Sequence, residues 1–161
     1  SVKTQMVADA LITLKRLVKD GPFIAALIAG PVFWAGLWLS ELTILEWGGS
    51  VSNPSQFLLL VIIYPILEEI VFRGALQGWL RSMSWGTQHW GKITVANLVT
   101  SIAFTLAHLS INPVLLSAVV FIPSLVFGYF RDRYDRLQAS IILHIFYNAG
   151  FIWLFAGRLV A

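Results

Sequence analysis

Two glutamates and an arginine stand in the stretch YPILEEIVFRG (64–74), at the end of the apolar run FLLLVIIYPIL. A charge at the centre of a bilayer costs about 2.5–3.5 kcal/mol on insertion scales. Three ionisable groups in such a setting need partners or a function. On a helix, Glu69 and Arg73 are four residues apart and share a face, which is the spacing of an ion pair. Glu68 lies about 100° around the same helix and has no partner there. An unpaired carboxylate in apolar surroundings is suited to act as a general base, which takes a proton from water. Pro65, just upstream, removes a backbone hydrogen bond and is expected to bend or restart the helix. That would set the glutamates at a helix start, facing a cavity. Gly74 and Gly78 follow as G-x-x-x-G, a close-packing pattern.

Two further apolar stretches carry polar groups. In ITVANLVTSIAFTLAHLS, residues Asn97, Thr100, Ser101 and His108 fall near one helical face, with Phe104 among them. In QASIILHIFYNAG, His144 and Asn148 are four apart on one face. A lone histidine in a membrane helix often just donates to a neighbouring helix. Two His, two Glu, an Arg and an Asn on three separate stretches satisfy one another best at one internal site. Zinc is the competing chemistry, with Glu68, His108 and His144 as ligands and another Glu as base. The helical H-E-x-x-H spacing is absent. His89 lies between tryptophans in SMSWGTQHWGK and reads as a surface residue. The RDRYDR run reads as a solvated loop in which Asp132 and Asp135 pair with neighbouring arginines.

The elements that must position these groups are membrane helices. The chain has 161 residues, of which 58% are hydrophobic and 12% charged, with mean hydropathy +0.79. Soluble domains average about 45–50% apolar and about 25% charged residues. Seven Trp and eleven Phe suit interfacial aromatic belts. With no cysteine there is no disulfide, thiolate metal site or Cys nucleophile. No basic face is interleaved with exposed aromatics, so nucleic acid is not an expected partner. Five stretches approach the roughly 20 apolar residues of a spanning helix: 22–40, 56–80, 93–110, 113–130 and 138–157. In residues 1–20, Val7, Leu11, Leu14 and Val18 recur at helical spacing with lysines between them, the pattern of an amphipathic surface helix.

The expected fold is therefore all-α: one polytopic membrane domain, 1–161, with about five transmembrane helices and an N-terminal amphipathic surface helix. Lys and Arg alternate between loops. Lys3, Lys15, Arg16 and Lys19 precede the first span, Arg81 and Lys92 lie between the second and third, and three arginines lie between the fourth and fifth. By the positive-inside rule the N-terminus is cytoplasmic and the C-terminus external. On this reading His108 lies near the outer end of its helix and His144 near the inner end of its own. At 1.5 Å per residue their depths would differ by roughly 10 Å. A shared site then demands irregular helix ends around it.

The three clusters, E-E-x-x-x-R (68–73), F-x-x-x-H (104–108) and H-x-x-x-N (144–148), resemble in order and spacing the CPBP family. These are the CAAX-processing and bacteriocin-immunity-type intramembrane proteases, also called the ABI family, which include the type II CAAX prenyl endopeptidases. The resemblance covers about 60–155 and looks like a minimal prokaryotic member of the cytoplasmic membrane. It implies peptide-bond hydrolysis in the membrane without a covalent intermediate. Glu68 would activate water, His108 would hold that water, His144 and Asn148 would stabilise the oxyanion, and Glu69 and Arg73 would orient the site.

No cofactor is expected on this reading, with zinc as the alternative. A cavity lined by Phe72, Phe104, Phe146 and Tyr147 would take a lipid or apolar peptide, although the same aromatics serve equally well as packing. The substrate would be the C-terminal or leader segment of a membrane-associated protein or peptide. Two other readings compete: a non-catalytic immunity or binding protein on the same fold, and a transporter or channel. A transporter would more readily show internal repeats and paired broken helices, and neither is visible.

Overall fold

The computed structural model describes residues 14–39, 53–112 and 114–155. Helix α1 spans Gly21–Leu39, α2 Pro54–Arg81, α3 Val95–Leu109, α4 Val114–Tyr134 and α5 Gln138–Phe155. A short hairpin, β1 (His89–Trp90) and β2 (Ile93–Thr94), leads into α3. Gly91 takes φ +63° at the first position of its two-residue turn, where a residue with a Cβ would be strained. Helices α1, α2, α4 and α5 are long and apolar enough to cross a membrane, and α3 is a shorter apolar helix. The expected span 93–110 thus begins late: residues 93–94 are strand, and Thr94 caps α3 by accepting from the Asn97 N–H. Of the expected surface helix, 1–13 lie outside the described residues. Leu14 and Val18 are exposed, while Leu17, outside the predicted apolar stripe, is buried against Phe127, Phe130 and Leu143.

Burial is inverted relative to a soluble protein. Glu69, Arg73, Gln77, Asn97, Thr100, Ser101, Ser124 and Ser140 are fully buried. Ile28, Val32, Leu39, Ile122 and Trp153 face outward. An apolar exterior around a polar interior suits a lipid solvent, in which every polar group must find a partner inside the protein. The molecule is a membrane protein built as an all-α polytopic bundle.

Helices α1 and α5 run parallel. The Tyr147 hydroxyl donates to the Ala26 carbonyl (2.6 Å), Trp34 lies on Gly150, and Trp38 meets Phe155 further along. A Cβ at Gly150 would run into the Trp34 indole, and one at Gly128 into the Asn97 carboxamide. These two glycines permit the close approaches. The G-x-x-x-G pair does not: a Cβ at Gly74 or Gly78 would meet Leu137 or Arg131 at ordinary contact distance, 3.4 and 3.9 Å.

Helix α2 is continuous across Pro65 but not uniformly α. Residues Leu59–Ile63 and Ile70–Leu76 are π-helical, on either side of the Tyr64–Glu69 turn that carries the glutamates. The cause of the first bulge is local. The Tyr64 N–H bonds to Leu59 O, and Pro65 has no N–H, so Leu60 O is left without a donor on its own helix. The expected irregularity therefore lies inside α2 and at the α3–α4 connection, and α5 runs unbroken through His144.

Candidate active site

A ladder of polar residues at four-residue steps runs down α2: Glu69, Arg73, Gln77 and Arg81. A matching ladder, Ser124, Gly128 and Asp132, faces it from α4. Glu69 Oε1 and Arg73 Nη1 are 3.1 Å apart and both fully buried, the ion pair expected from their spacing. Arg73 Nη2 donates to the Ser124 carbonyl (3.0 Å) and hydroxyl (2.6 Å). Its guanidinium also lies over the rings of Phe104 (4.6 Å) and Phe127 (5.4 Å), a cation–π arrangement favoured in a dry interior. Gln77 donates to Gly128 O and Asp132 Oδ1.

Asp132 also accepts from the Thr94 hydroxyl at 2.7 Å and lies 3.3 Å from Arg81 Nε. The solvated-loop reading of RDRYDR is thus corrected. Residues 131–134 are the last turn of α4, and Asp132 is a half-buried junction joining α2, α3 and α4. Asp135 does pair with its neighbour Arg131, and also with Arg81. His89 is exposed at the hairpin, as expected.

His144 stands between the two glutamates. Glu69 Oε1 accepts from its Nδ1 at 2.9 Å, and its Nε2 lies 3.4 Å from Glu68 Oε2. Phe127 stacks on the imidazole at 4.7 Å, and Phe104 meets it edge-on at 5.9 Å. The ring is therefore fixed by packing as well as by charge. Glu68 differs from its neighbour: its side chain is 30% exposed, against 0% for Glu69.

His108 also packs on Phe104, with centroids 4.3 Å apart. Both imidazoles thus touch one phenyl ring, and the depth difference read from the sequence does not separate them. His108 Nδ1 lies 2.8 Å from Phe104 O, and a carbonyl only accepts, so Nδ1 carries the proton. Its Nε2 is then the ring nitrogen left for other partners. Asn148 donates to Leu60 O at 3.1 Å, the carbonyl stranded by Pro65.

Glu68, His108, His144 and Asn148 line one cavity of about 260 Å³. Phe104 and Tyr147 line it too. Phe72 and Phe146 do not: Phe72 packs edge-on against Phe104, and Phe146 against Trp34. The walls missed in the sequence include Trp34, Tyr64, Leu116, Phe127 and Ile152. Apolar residues carry no signal that separates a cavity wall from core. Among the described residues no three His, Cys, Asp or Glu side chains surround a common point suited to a metal ion. Glu68 and Glu69 approach opposite nitrogens of one ring.

These features define a membrane-embedded helix bundle with a polar, partly open site inside it. The chain belongs to the family described as type II CAAX prenyl endopeptidase Rce1-like, whose model matches residues 50–150. The family is one of membrane proteases, and the matched segment contains all three clusters. No curated protein and no solved structure matches the chain. Helix α1, with the cavity residues Phe33 and Trp34, lies outside the matched segment.

Proposed function

We propose that the chain is an intramembrane endopeptidase of the glutamic type, with Glu68 as general base. The observation that carries this reading is the unequal setting of two adjacent glutamates. Glu69 is sealed in and committed to Arg73 and His144, while Glu68 stays partly open beside the cavity. His144 links the two, with Nδ1 held by Glu69 and Nε2 3.4 Å from Glu68 Oε2 at the cavity wall.

In the proposed reaction a water in the cavity gives a proton to the Glu68 carboxylate. Its oxygen bonds to the scissile carbonyl carbon, and the carbonyl electrons move onto oxygen. His144 Nε2–H and the second N–H of Asn148 donate to that oxyanion, as preorganised donors do effectively in a low dielectric. His108 Nε2 accepts from the attacking water. The C–N bond then breaks, and Glu68 passes its proton to the leaving nitrogen. Glu69 and Arg73 position His144.

The substrate on this reading is the C-terminal or leader segment of a membrane-associated protein or peptide, with a CAAX-type C-terminus suggested by the family description. The positive-inside rule puts the ends bearing Arg81, Arg131 and Arg133 on the cytoplasmic side of a prokaryotic membrane.

The test is cleavage of a fluorogenic peptide library in proteoliposomes by wild type and by Glu68→Ala, with and without chelator. Both proteins are first shown to fold equally well. Loss of cleavage in Glu68→Ala with indifference to chelator supports the proposal. Loss to chelator moves the assignment to a metalloprotease using Glu68, His108 and His144. A cellular phenotype that survives Glu68→Ala favours the non-catalytic binding protein.

A further inference from the structure

His108 and Asn112 repeat, at the end of α3, the H-x-x-x-N spacing that His144 and Asn148 make on α5. The Asn112 N–H bonds to the His108 carbonyl at 2.9 Å, so a last turn carries on past Leu109 to Asn112. The two helices run the same way. Phe72 packs on Phe104 while Arg81 and Thr94 share Asp132, so α3 is antiparallel to α2. Glu69 meets His144 while Leu60 meets Asn148, so α5 is antiparallel to α2 as well. Each asparagine therefore stands about one turn beyond its histidine, in the same direction. All four residues line the one cavity.

The two asparagines differ in what they hold. Asn148 gives one N–H to Leu60 O. Asn112 is pinned through its backbone alone: its N–H is bound by His108 O, and its carbonyl accepts from the buried Ser117 hydroxyl at 3.4 Å. Among the described residues its carboxamide has no hydrogen-bond partner. A carboxamide offers a donor and an acceptor side by side. In an extended chain the N–H and C=O of one residue point to the same side. A peptide entering this cavity brings such pairs, and inside a membrane each backbone group needs a partner. The proposed reaction uses Glu68, His108, His144 and Asn148 at the scissile bond itself. We infer that Asn112 is a further substrate-binding residue, whose carboxamide takes the N–H and C=O of one substrate residue flanking that bond. The inference rests on the endopeptidase reading, and Asn112 belongs to none of the three clusters on which that reading was built.

The experiment uses the full chain in nanodiscs. Binding of fluorescent CAAX-terminated peptides is read by anisotropy in a Glu68→Gln background, and cleavage is read with Glu68 in place. In each setting the parent is compared with Asn112→Leu, which removes the carboxamide, and with Asn112→Asp, which keeps an acceptor and loses the donor. The peptides come as a scan in which one amide at a time is replaced by an ester, which removes its N–H. Asn112→Leu should weaken binding of the all-amide peptide about tenfold, the effect of one or two hydrogen bonds. It should raise KM by a similar factor and change kcat far less. Asn112→Asp should bind no better than Asn112→Leu. One ester position should cost the parent a similar factor and cost Asn112→Leu nothing. Thermal stability should be alike in all three, because the carboxamide supports no other group.

Equal binding by the parent and Asn112→Leu, ester penalties that are the same in both, or no binding of any peptide overturns the inference. A loss confined to kcat also overturns it, since that would put Asn112 at the oxyanion instead. The endopeptidase reading fails separately. Coupling between Asn112 and one ester in a protein that cleaves nothing sinks that reading and leaves the peptide contact standing. Cleavage that is indifferent to Asn112 does the reverse.

Discussion

The Asn148 carboxamide donates to the Leu60 carbonyl, 3.1 Å away on a different helix. That carbonyl needs an outside donor because of Pro65, so a proline on α2 and an asparagine on α5 form one device. It holds the π-bulge open and ties the α5 face carrying His144 and Asn148 to α2. A buried acceptor left unpaired costs about 1–3 kcal/mol. Asn148→Ala should lose about that much stability in a reversible unfolding assay, besides losing cleavage. Pro65→Ala supplies an N–H that can serve α2 from within. In that background Asn148→Ala should cost clearly less stability, and equal costs in the two backgrounds would break the link.

The Glu69–Arg73 pair is fully buried, so removing one partner strands a charge. Glu69→Leu and Arg73→Met singly should each destabilise by about 3–5 kcal/mol, whereas replacing both together should be far milder. The double variant should nevertheless cleave poorly, because His144 loses the acceptor at Nδ1. A double variant that cleaves at the wild-type rate would show that Glu69 serves the fold alone.

At Gly128 the Asn97 side chain of α3 lies against the α4 backbone, where a Cβ would collide with it. Overpacking of this kind costs about 1–3 kcal/mol, so Gly128→Ala should lower stability by that order. Shortening the opposing side chain, Asn97→Ala, removes the obstacle but also the bond to the Leu125 carbonyl. A double-mutant cycle should therefore show favourable coupling between the two substitutions. Additive losses would mean that α4 shifts to absorb the methyl.

Acid should loosen the polar end of the bundle before the interior. Hydrogen bonds from Arg131 and Arg81 hold Asp135 at about 2, and a hydrogen bond from Arg133 holds Asp20 below its usual value. A carboxyl depressed by folding adds stability above its unfolded value, about 3.9. It loses that stability as pH falls through its folded value. Asp135 is largely exposed, so its share is small. Unfolding midpoints followed from pH about 5 to about 2 should fall, and Asp20→Asn with Asp135→Asn should flatten that slope.

Much of the fold was legible because apolar length and the placement of Lys and Arg are one-dimensional signals. The Glu69–Arg73 pair was legible for the same reason, since i,i+4 spacing fixes a shared face. The expected meeting of His108 and His144 looked awkward in depth, and the answer was a third residue: Phe104 is large enough to touch both rings. The π-bulges were not legible. Pro65 predicts a disturbance, but its form depends on a donor from α5, which only the packed bundle supplies. Asp132 was misread because its partners Gln77, Arg81 and Thr94 come from segments remote in sequence. Trp34 carried no signal at all, since a tryptophan on an apolar helix looks the same whether it meets lipid or closes a cavity.

The central claim is that adjacent glutamates do different work, and it is tested most directly by Glu68→Gln and Glu69→Gln side by side. Thermal stability and the cleavage rate of a fluorogenic peptide would be measured in the same proteoliposomes. General acid–base catalysis contributes about 10²–10⁴-fold. Glu68→Gln should therefore lose that factor in kcat at nearly unchanged stability, while Glu69→Gln should lose stability as well as rate. A Glu68→Gln protein that cleaves at the wild-type rate would contradict the account.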